Sequence, residues 1–260
     1  MPELKDQLGR WVRCEQYPQR IVSLVPSQTE LLFDLGLEEQ VVGITKFCVH
    51  PKHWKKTKTI VGGTKQFRKE ELFELAPDLV IANKEENTQE MVAELQNHAP
   101  VYVSDVNDLP SALGMIKDVG HLTHTANRAE RMIAEIQEGF HQLQQVKTKR
   151  KALYLIWKNP YMAAGCDTFI HDMMNRSGFE NAIHQSRYPE VSEEEIVALN
   201  PEIILLSSEP FPFQKKHIRE LEQLLPESKV VLVDGEVFSW YGSRLLKAAG
   251  ALKNLQQDLL

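Results

Sequence analysis

The chain carries one phrase twice. Residues 70–87 read EELFELAPDLVIANKEEN and residues 194–211 read EEIVALNPEIILLSSEPF, 124 positions apart in a chain of 260. In each copy two glutamates open a short apolar helical stretch (Leu72, Phe73, Leu75; Ile196, Val197, Leu199). A proline then stops it (Pro77; Pro201), one acid follows (Asp78; Glu202), and an apolar run of strand character comes next. Proline lacks an N–H and fixes φ, so it marks the passage from helix to strand. Helix, proline, acid and strand are common α/β grammar, but here the glutamate pair, the proline and the acid recur in register, the mark of a duplicated unit. The expected outcome is α/β, with two Rossmann-like lobes of parallel sheet and a ligand cleft between them.

A net charge of −6 with no basic stripe argues against a nucleic-acid partner. The one basic run, KTKRK at 147–151, reads as a solvated helix end or linker. Hydrophobic content of 42% and charged content of 25% are ordinary for a soluble globular protein. The first residues, MPELKDQ, show no apolar signal-peptide core, and no apolar run is long enough to span a bilayer. Three widely spaced cysteines (Cys14, Cys48, Cys166) suit a reducing compartment better than a disulfide framework. The sequence as it stands is expected to be cytoplasmic, or periplasmic or at the cell surface if a leader has been trimmed.

Strand signals fall at 20–25, 41–45, 60–61, 79–82, 100–103, 151–157, 203–206 and 230–234. Helical patterns lie between them, so parallel sheets are expected in both lobes. Ser27, with Glu30 three residues on, predicts a capping box for a helix ending at Gly36. Residues 126–146 read as one long helix with Met132, Ile133, Ile136, Phe140 and Leu143 on a packing face. A helix of about twenty residues spans roughly 30 Å and can cross from lobe to lobe as a rigid strut. The expected division is a first lobe over 1–124, a linker helix over 125–149 and a second lobe over 150–260. The last part includes a glycine/aromatic loop around Phe238, Trp240, Tyr241 and Gly242, with the final helix beginning at Ser243.

Ligands of open α/β sheets sit beyond the carboxyl ends of the strands. In the first lobe those ends offer Ser27, Lys46, Cys48, His50, Thr64, Lys65 and Glu85. In the second they offer Trp157, Tyr161, Arg187, Glu209, Asp234, Trp240 and Tyr241. Aromatic rings on one wall and polar groups on the other suit a large, flat, partly polar ligand. Cys48 and His50 form a candidate soft metal pair, since residues two apart on an extended segment face the same way. Two ligands close no zinc site, and a buried cysteine beside a loop histidine is the simpler alternative. Glycine pairing at Gly62-Gly63 lacks the spacing of a dinucleotide fingerprint, and no G-x-S-x-G, Walker or H-E-x-x-H motif occurs. Glu70 and Glu194 sit where carboxylates gain from a helix dipole, and two equivalent acidic corners could also dock the arginines of a partner.

RIVSLVPSQTELLFDLG, then VVGIT, then VGGTKQFRKEELFELAPDLVIA resembles the first lobe of the periplasmic binding proteins for cobalamin, haem and ferric siderophores, the class III solute-binding proteins of the helical-backbone metal receptor superfamily. The likeness continues to the C-terminus through VSEEEIVALNPEIILLSS. It implies two lobes joined by one rigid helix, a bound metal complex (corrinoid, haem or ferric chelate) as ligand, no intrinsic cofactor and no catalysis. It also implies docking on an ABC-transporter permease through Glu70 and Glu194, and a monomer is expected. The pocket loops carry no ligand signature, so ligand identity stays open. The alternative is a cytosolic metal- or corrinoid-handling protein or enzyme using Cys48, His50 and Glu209 without a transporter.

Overall fold

The chain opens with an antiparallel hairpin of β1 (Glu3–Lys5) and β2 (Trp11–Arg13), in which Leu4 faces Val12. Asp6 builds its turn. One carboxylate oxygen accepts the N–H groups of Leu8 (3.0 Å) and Arg10 (2.9 Å), and the other meets the Arg10 guanidinium at 2.6 Å. Strands this short show no alternation in the sequence, and the hairpin is not apparent there.

This computed structural model describes residues 1–143, 146 and 148–259. They divide into two compact units. The first contains residues 1–106, 110–135 and 241–244, and the second contains 107–109 and the described residues of 136–240 and 245–259.

In the first unit β3 (Ile21–Ser23), β4 (Val41–Ile44), β5 (Thr59–Ile60), β6 (Leu79–Asn83) and β7 (Val101–Ser104) form a wholly parallel sheet in the order β5-β4-β3-β6-β7. Between the strands run α1 (Pro26–Asp34), α2 (Trp54–Thr57), α3 (Lys69–Glu74) and α4 (Gln89–Gln96). Val22, Leu24, Val80, Ala82, Val101 and Val103 of the sheet region pack against Leu72 of α3 and Met91, Val92 and Leu95 of α4. A Leu95→Ala change in such a site costs about 2–5 kcal/mol. Gln7 fixes the hairpin beside β7. Its side-chain oxygen accepts the N–H of Asp105 at 2.8 Å, and its amide nitrogen donates to the Ser111 carbonyl at 2.8 Å.

The capping box at Ser27 does not form. Pro26 takes the first helical position, its φ already suited to a helix, and the N-cap is Val25 with no side-chain bond. Glu30 is drawn instead into a two-point ion pair with Arg244, at 2.8 and 2.9 Å. The helix ends as expected. Gly36 stands at φ +81°, and Leu37 N–H closes on the Leu32 carbonyl at 3.0 Å.

α5 (Leu109–Leu122) and α6 (Ala126–His141) follow without a strand. α6 has 16 residues, about 24 Å, and Gln142 and Leu143 have already left it, so it falls short of the expected 126–146. Positions 144, 145 and 147, which the expected helix end and the basic run include, lie outside the described residues.

The second unit is built on β8 (Arg150–Trp157), β9 (Tyr161–Ala163), β10 (Phe179–Asn181), β11 (Glu190–Val191), β12 (Ile203–Ser207) and β13 (Lys229–Val233). The order is β11-β9-β8-β12-β13, with β10 also on β8. β8, β10, β12 and β13 pair in parallel, whereas β9 is antiparallel to β8 and to β11. The expected parallel strands are therefore present, with an antiparallel pair added at one edge. Asn159, at φ +66°, turns the chain straight back after β8, a conformation asparagine tolerates better than most residues.

Among the described residues this unit continues with α7 (Phe169–Arg176), α8 (Glu193–Leu199), α9 (Lys215–Leu224), α10 (Gly235–Ser239) and α11 (Leu245–Leu259). Ile196 of α8 and Leu221 of α9 pack on Leu153, Leu155, Ile204, Leu206 and Val230, as α3 and α4 do in the first unit. The stretch read as a glycine/aromatic loop is helical at Phe238, because Asp234 caps Glu236 N–H at 3.0 Å and starts α10. The last helix begins at Leu245 rather than Ser243.

Candidate functional site

In the first unit a buried amide network sets the loops at the carboxyl ends of the strands. Gln28 of α1 donates to Ser104 Oγ at 2.5 Å, and Asn83 donates to the same oxygen at 3.0 Å. The Asn83 side-chain oxygen accepts the N–H groups of Glu85 (2.8 Å) and Glu86 (3.1 Å), while its own N–H goes to Asn87 Oδ1 at 2.8 Å. Asn87 then donates to the Thr64 carbonyl at 2.7 Å and so holds the loop after β5. Buried polar groups are stable only when paired in this way, and the pairing fixes the loops.

That loop is a tight hairpin. Gly63 N–H meets the Gln66 carbonyl at 2.7 Å, and Arg68 N–H meets the Val61 carbonyl at 2.7 Å. Gly62 stands at φ +127°, and a Cβ there would lie 2.7 Å from the Gln66 carbonyl oxygen, so only glycine fits. Lys46 N–H bonds the Gly62 carbonyl at 2.8 Å and joins the loop after β4 to it. Between the two loops lies a groove of about 560 Å³, lined by Lys46, Phe47 and residues 62–68. It brings together three expected site residues, Lys46, Thr64 and Lys65.

Cys48 and His50 are not in the groove. Cys48 is fully buried, with Thr29 Oγ1 at 3.0 Å and Thr45 Oγ1 at 3.2 Å, and burial pushes its thiol pKa up. Its segment follows the turn at Lys46 and Phe47 and is not a strand, so the alternation of a strand does not set the directions of Cys48 and His50. Among the described residues no group of three or more His, Cys, Asp or Glu could hold a metal ion. Ser27 lies in the first turn of α1, buried, with no hydrogen-bond partner for its hydroxyl among the described residues. Glu85 is half-buried, and its carbonyl accepts the Lys65 ammonium.

In the second unit Glu209, Asp234 and Trp240 meet around α10. One Glu209 oxygen accepts both Ser239 Oγ and Trp240 Nε1, each at 2.8 Å. Burial raises the Glu209 pKa against those two bonds, with Glu236 and Asp234 adding to the rise. Trp157 is 39% exposed at the end of β8, edge-on to Phe211 at 5.6 Å between ring centroids. Phe211 in turn meets Phe213 at 4.8 Å. Tyr161 is buried in the core of this unit, with the Lys158 ammonium 5.6 Å from its ring. Arg187 is exposed at φ +62°, its guanidinium 5.7 Å from the Tyr188 ring. Tyr241 is buried and belongs to the first unit. Glu70 and Glu194 are exposed in the first turns of α3 and α8, where α8 carries the capping box of Ser192 and Glu195.

Gln66 and Arg68 line the groove, and Phe211 extends the surface at Trp157, without having been singled out in the sequence. The pair Gly62-Gly63 was the available signal for the hairpin, and Asn83 with Asn87 was the signal for the network behind it.

Residues 21–225 match the family described as periplasmic binding protein. The chain belongs to that family. Among its relatives is the Bacillus subtilis (strain 168) protein YvrC, an uncharacterized ABC transporter substrate-binding lipoprotein, 28% identical over 78% of this chain and 68% of its own length. Another is a vitamin B12-binding protein of Pectobacterium atrosepticum, 26% identical over 89% of this chain and 86% of its own. A solved structure from Staphylococcus epidermidis, a possible iron-binding (periplasmic solute-binding) protein, superposes with a TM-score of 0.77 at 26% identity, covering 94% of this chain and 99% of that one. Family membership agrees with the expected α/β fold and with binding rather than catalysis. Among the described residues no helix is long and apolar enough to cross a membrane.

Proposed function

We propose that this chain is the substrate-binding protein of an ABC importer and that its ligand is a metal-bearing complex: a corrinoid, haem or ferric chelate. The observation that carries the reading is a vitamin B12-binding relative that matches 89% of this chain over 86% of its own length. The iron-binding description of the solved relative points to the same ligand chemistry. The ligand-binding side chains proposed are Ser27, Lys46, Thr64, Lys65, Glu85, Trp157, Arg187, Glu209, Asp234, Trp240 and Tyr241. Tyr161 and Cys48 support the site from within their own units. Glu70 and Glu194 are the proposed contacts with the permease.

The enzyme alternative needs a reactive Cys48. A thiol with a raised pKa, enclosed by two threonine hydroxyls, is a poor source of thiolate, which disfavours that reading. Delivery to an importer requires a location outside the cytoplasmic membrane, in keeping with the lipoprotein relative.

Visible-absorption titration of the purified protein with cyanocobalamin, haemin and a ferric chelate tests the proposal. Saturable one-to-one binding of one of them is expected. A protein that leaves all three spectra unchanged would contradict it.

A further inference from the structure

The groove of the first unit has a charge that the functional reading does not use. Its lining contains Lys46, Lys65 and Arg68 and no aspartate or glutamate. We infer that this groove receives an oxyanion group of the ligand, so that the complex this protein carries is an anionic chelate. The inference rests on the proposed role in chelate binding and adds the charge class of the chelate.

Three features make the groove a built surface. The Gly62–Phe67 bridge and the two 2.7 Å backbone bonds of the loop fix the positions from which Lys65 and Arg68 project. Gly63 lets the loop close on the neighbouring aromatic, since a Cβ there would lie 3.3 Å from the Phe47 ring. The Lys46 ammonium stands 5.0 Å from that ring, which is itself 50% exposed. An exposed ring beside a cation offers a flat ligand both a stacking face and a charge.

The cations are only partly satisfied within the protein. Lys65 donates to the backbone carbonyl of Glu85, which leaves its charge unneutralised. Arg68 meets Glu71 at 3.6 Å, across one helical turn and largely in solvent. Lys46 makes no ion pair among the described residues. Glu85 and Glu86 on the adjoining loop are the acids that oppose this field, and their backbone N–H groups are bound inward to Asn83. A cluster of one sign fixed beside a ring raises the local concentration of the opposite sign and selects among otherwise similar ligands.

Matched probes separate charge from shape. Binding is measured for haemin and its dimethyl ester, for a ferric tris-catecholate and a neutral ferric tris-hydroxamate, and for cyanocobalamin, which is electrically neutral. The expected result is that an anionic probe binds at least about tenfold tighter than its neutral partner, and that this advantage shrinks at high salt. Lys46→Gln and Arg68→Gln should each remove much of the advantage, Lys46→Arg should keep it, and thermal melts should stay unchanged because these side chains are exposed.

A neutral probe or cyanocobalamin binding as tightly as the anionic ones would overturn the inference and leave the functional reading standing. So would full retention of the anionic preference in Lys46→Gln and Arg68→Gln. Failure of all five probes to bind would overturn both.

Discussion

The carboxylate of Asp78 receives the backbone N–H of Arg20 at 2.8 Å, just before the central strand β3. Its other oxygen takes the N–H of Gln19 at 2.8 Å, and Asp78 N–H returns to the Arg20 carbonyl at 3.0 Å. Glu202 repeats the arrangement at β8, accepting Lys151 N–H at 3.0 Å and donating to the Lys151 carbonyl at 2.9 Å. In each copy the residue before the proline is left-handed, Ala76 at φ +43° and Asn200 at φ +44°. The duplicated phrase thus has one physical purpose. It ends a helix, reverses the chain, and clamps the strand that pairs with the one about to begin, Ile21 beside Leu79 and Ala152 beside Ile203.

Asp78→Ala and Glu202→Ala should each destabilise their own unit by about 1–2 kcal/mol, toward the low end for hydrogen bonds to a charged group because solvent reaches both carboxylates. Urea unfolding reads this directly. A change of only a few tenths for both would show the clamp to be incidental.

Ala76 holds a left-handed conformation that costs an L-residue about 1–2 kcal/mol, while asparagine, already present at the matching position 200, tolerates it better. Ala76→Asn is therefore expected to stabilise the protein by about 0.5–1 kcal/mol in the same assay. A loss of stability would mean that the backbone there is set by contacts rather than by the turn.

Burial raises the Glu209 pKa above its unfolded value. For an acid shifted upward, the folded state binds the proton more tightly than the unfolded one. The contribution to stability is complete below the unfolded pKa of 4.5 and is lost as pH rises through the folded value. Glu30 is shifted the same way, chiefly by burial, with Arg244 opposing. Glu209→Gln keeps an acceptor for Trp240 Nε1 and Ser239 Oγ but carries no charge. Its melting temperature should fall less than wild type's between pH 5 and 7, and an identical decline would assign the pH dependence elsewhere.

The repeat made the α/β class legible, and the apolar runs marked β3 to β8, β12 and β13, along with the glycine that ends α1. What stayed hidden depends on partners distant in sequence. β1 and β2 are three residues long and rely on Asp6 and Gln7 for their anchorage. The antiparallel β9 follows from the turn at Asn159, a single residue with no periodic signal. Glu30 looked like half of a capping box until Arg244, 214 positions away, took its carboxylate. Of the candidate site, Lys46, Thr64 and Lys65 were legible from their place after strands. Cys48 is buried between two threonine hydroxyls, the simpler of the two alternatives its loop allowed.

Glu70 and Glu194 are exposed, so removing either charge should leave folding stability close to that of wild type. The double reversal Glu70→Lys with Glu194→Lys should retain ligand binding and abolish ligand transfer in a reconstituted importer. Undiminished transfer would leave these residues as helix-opening acids and nothing more.

Native mass spectrometry of the intact protein, incubated with an equimolar mixture of cyanocobalamin, haemin and a ferric tris-catecholate, tests the central claim most directly. The account predicts one dominant adduct carrying a single metal complex. A spectrum showing only the unliganded chain, or all three ligands bound indiscriminately, would contradict it.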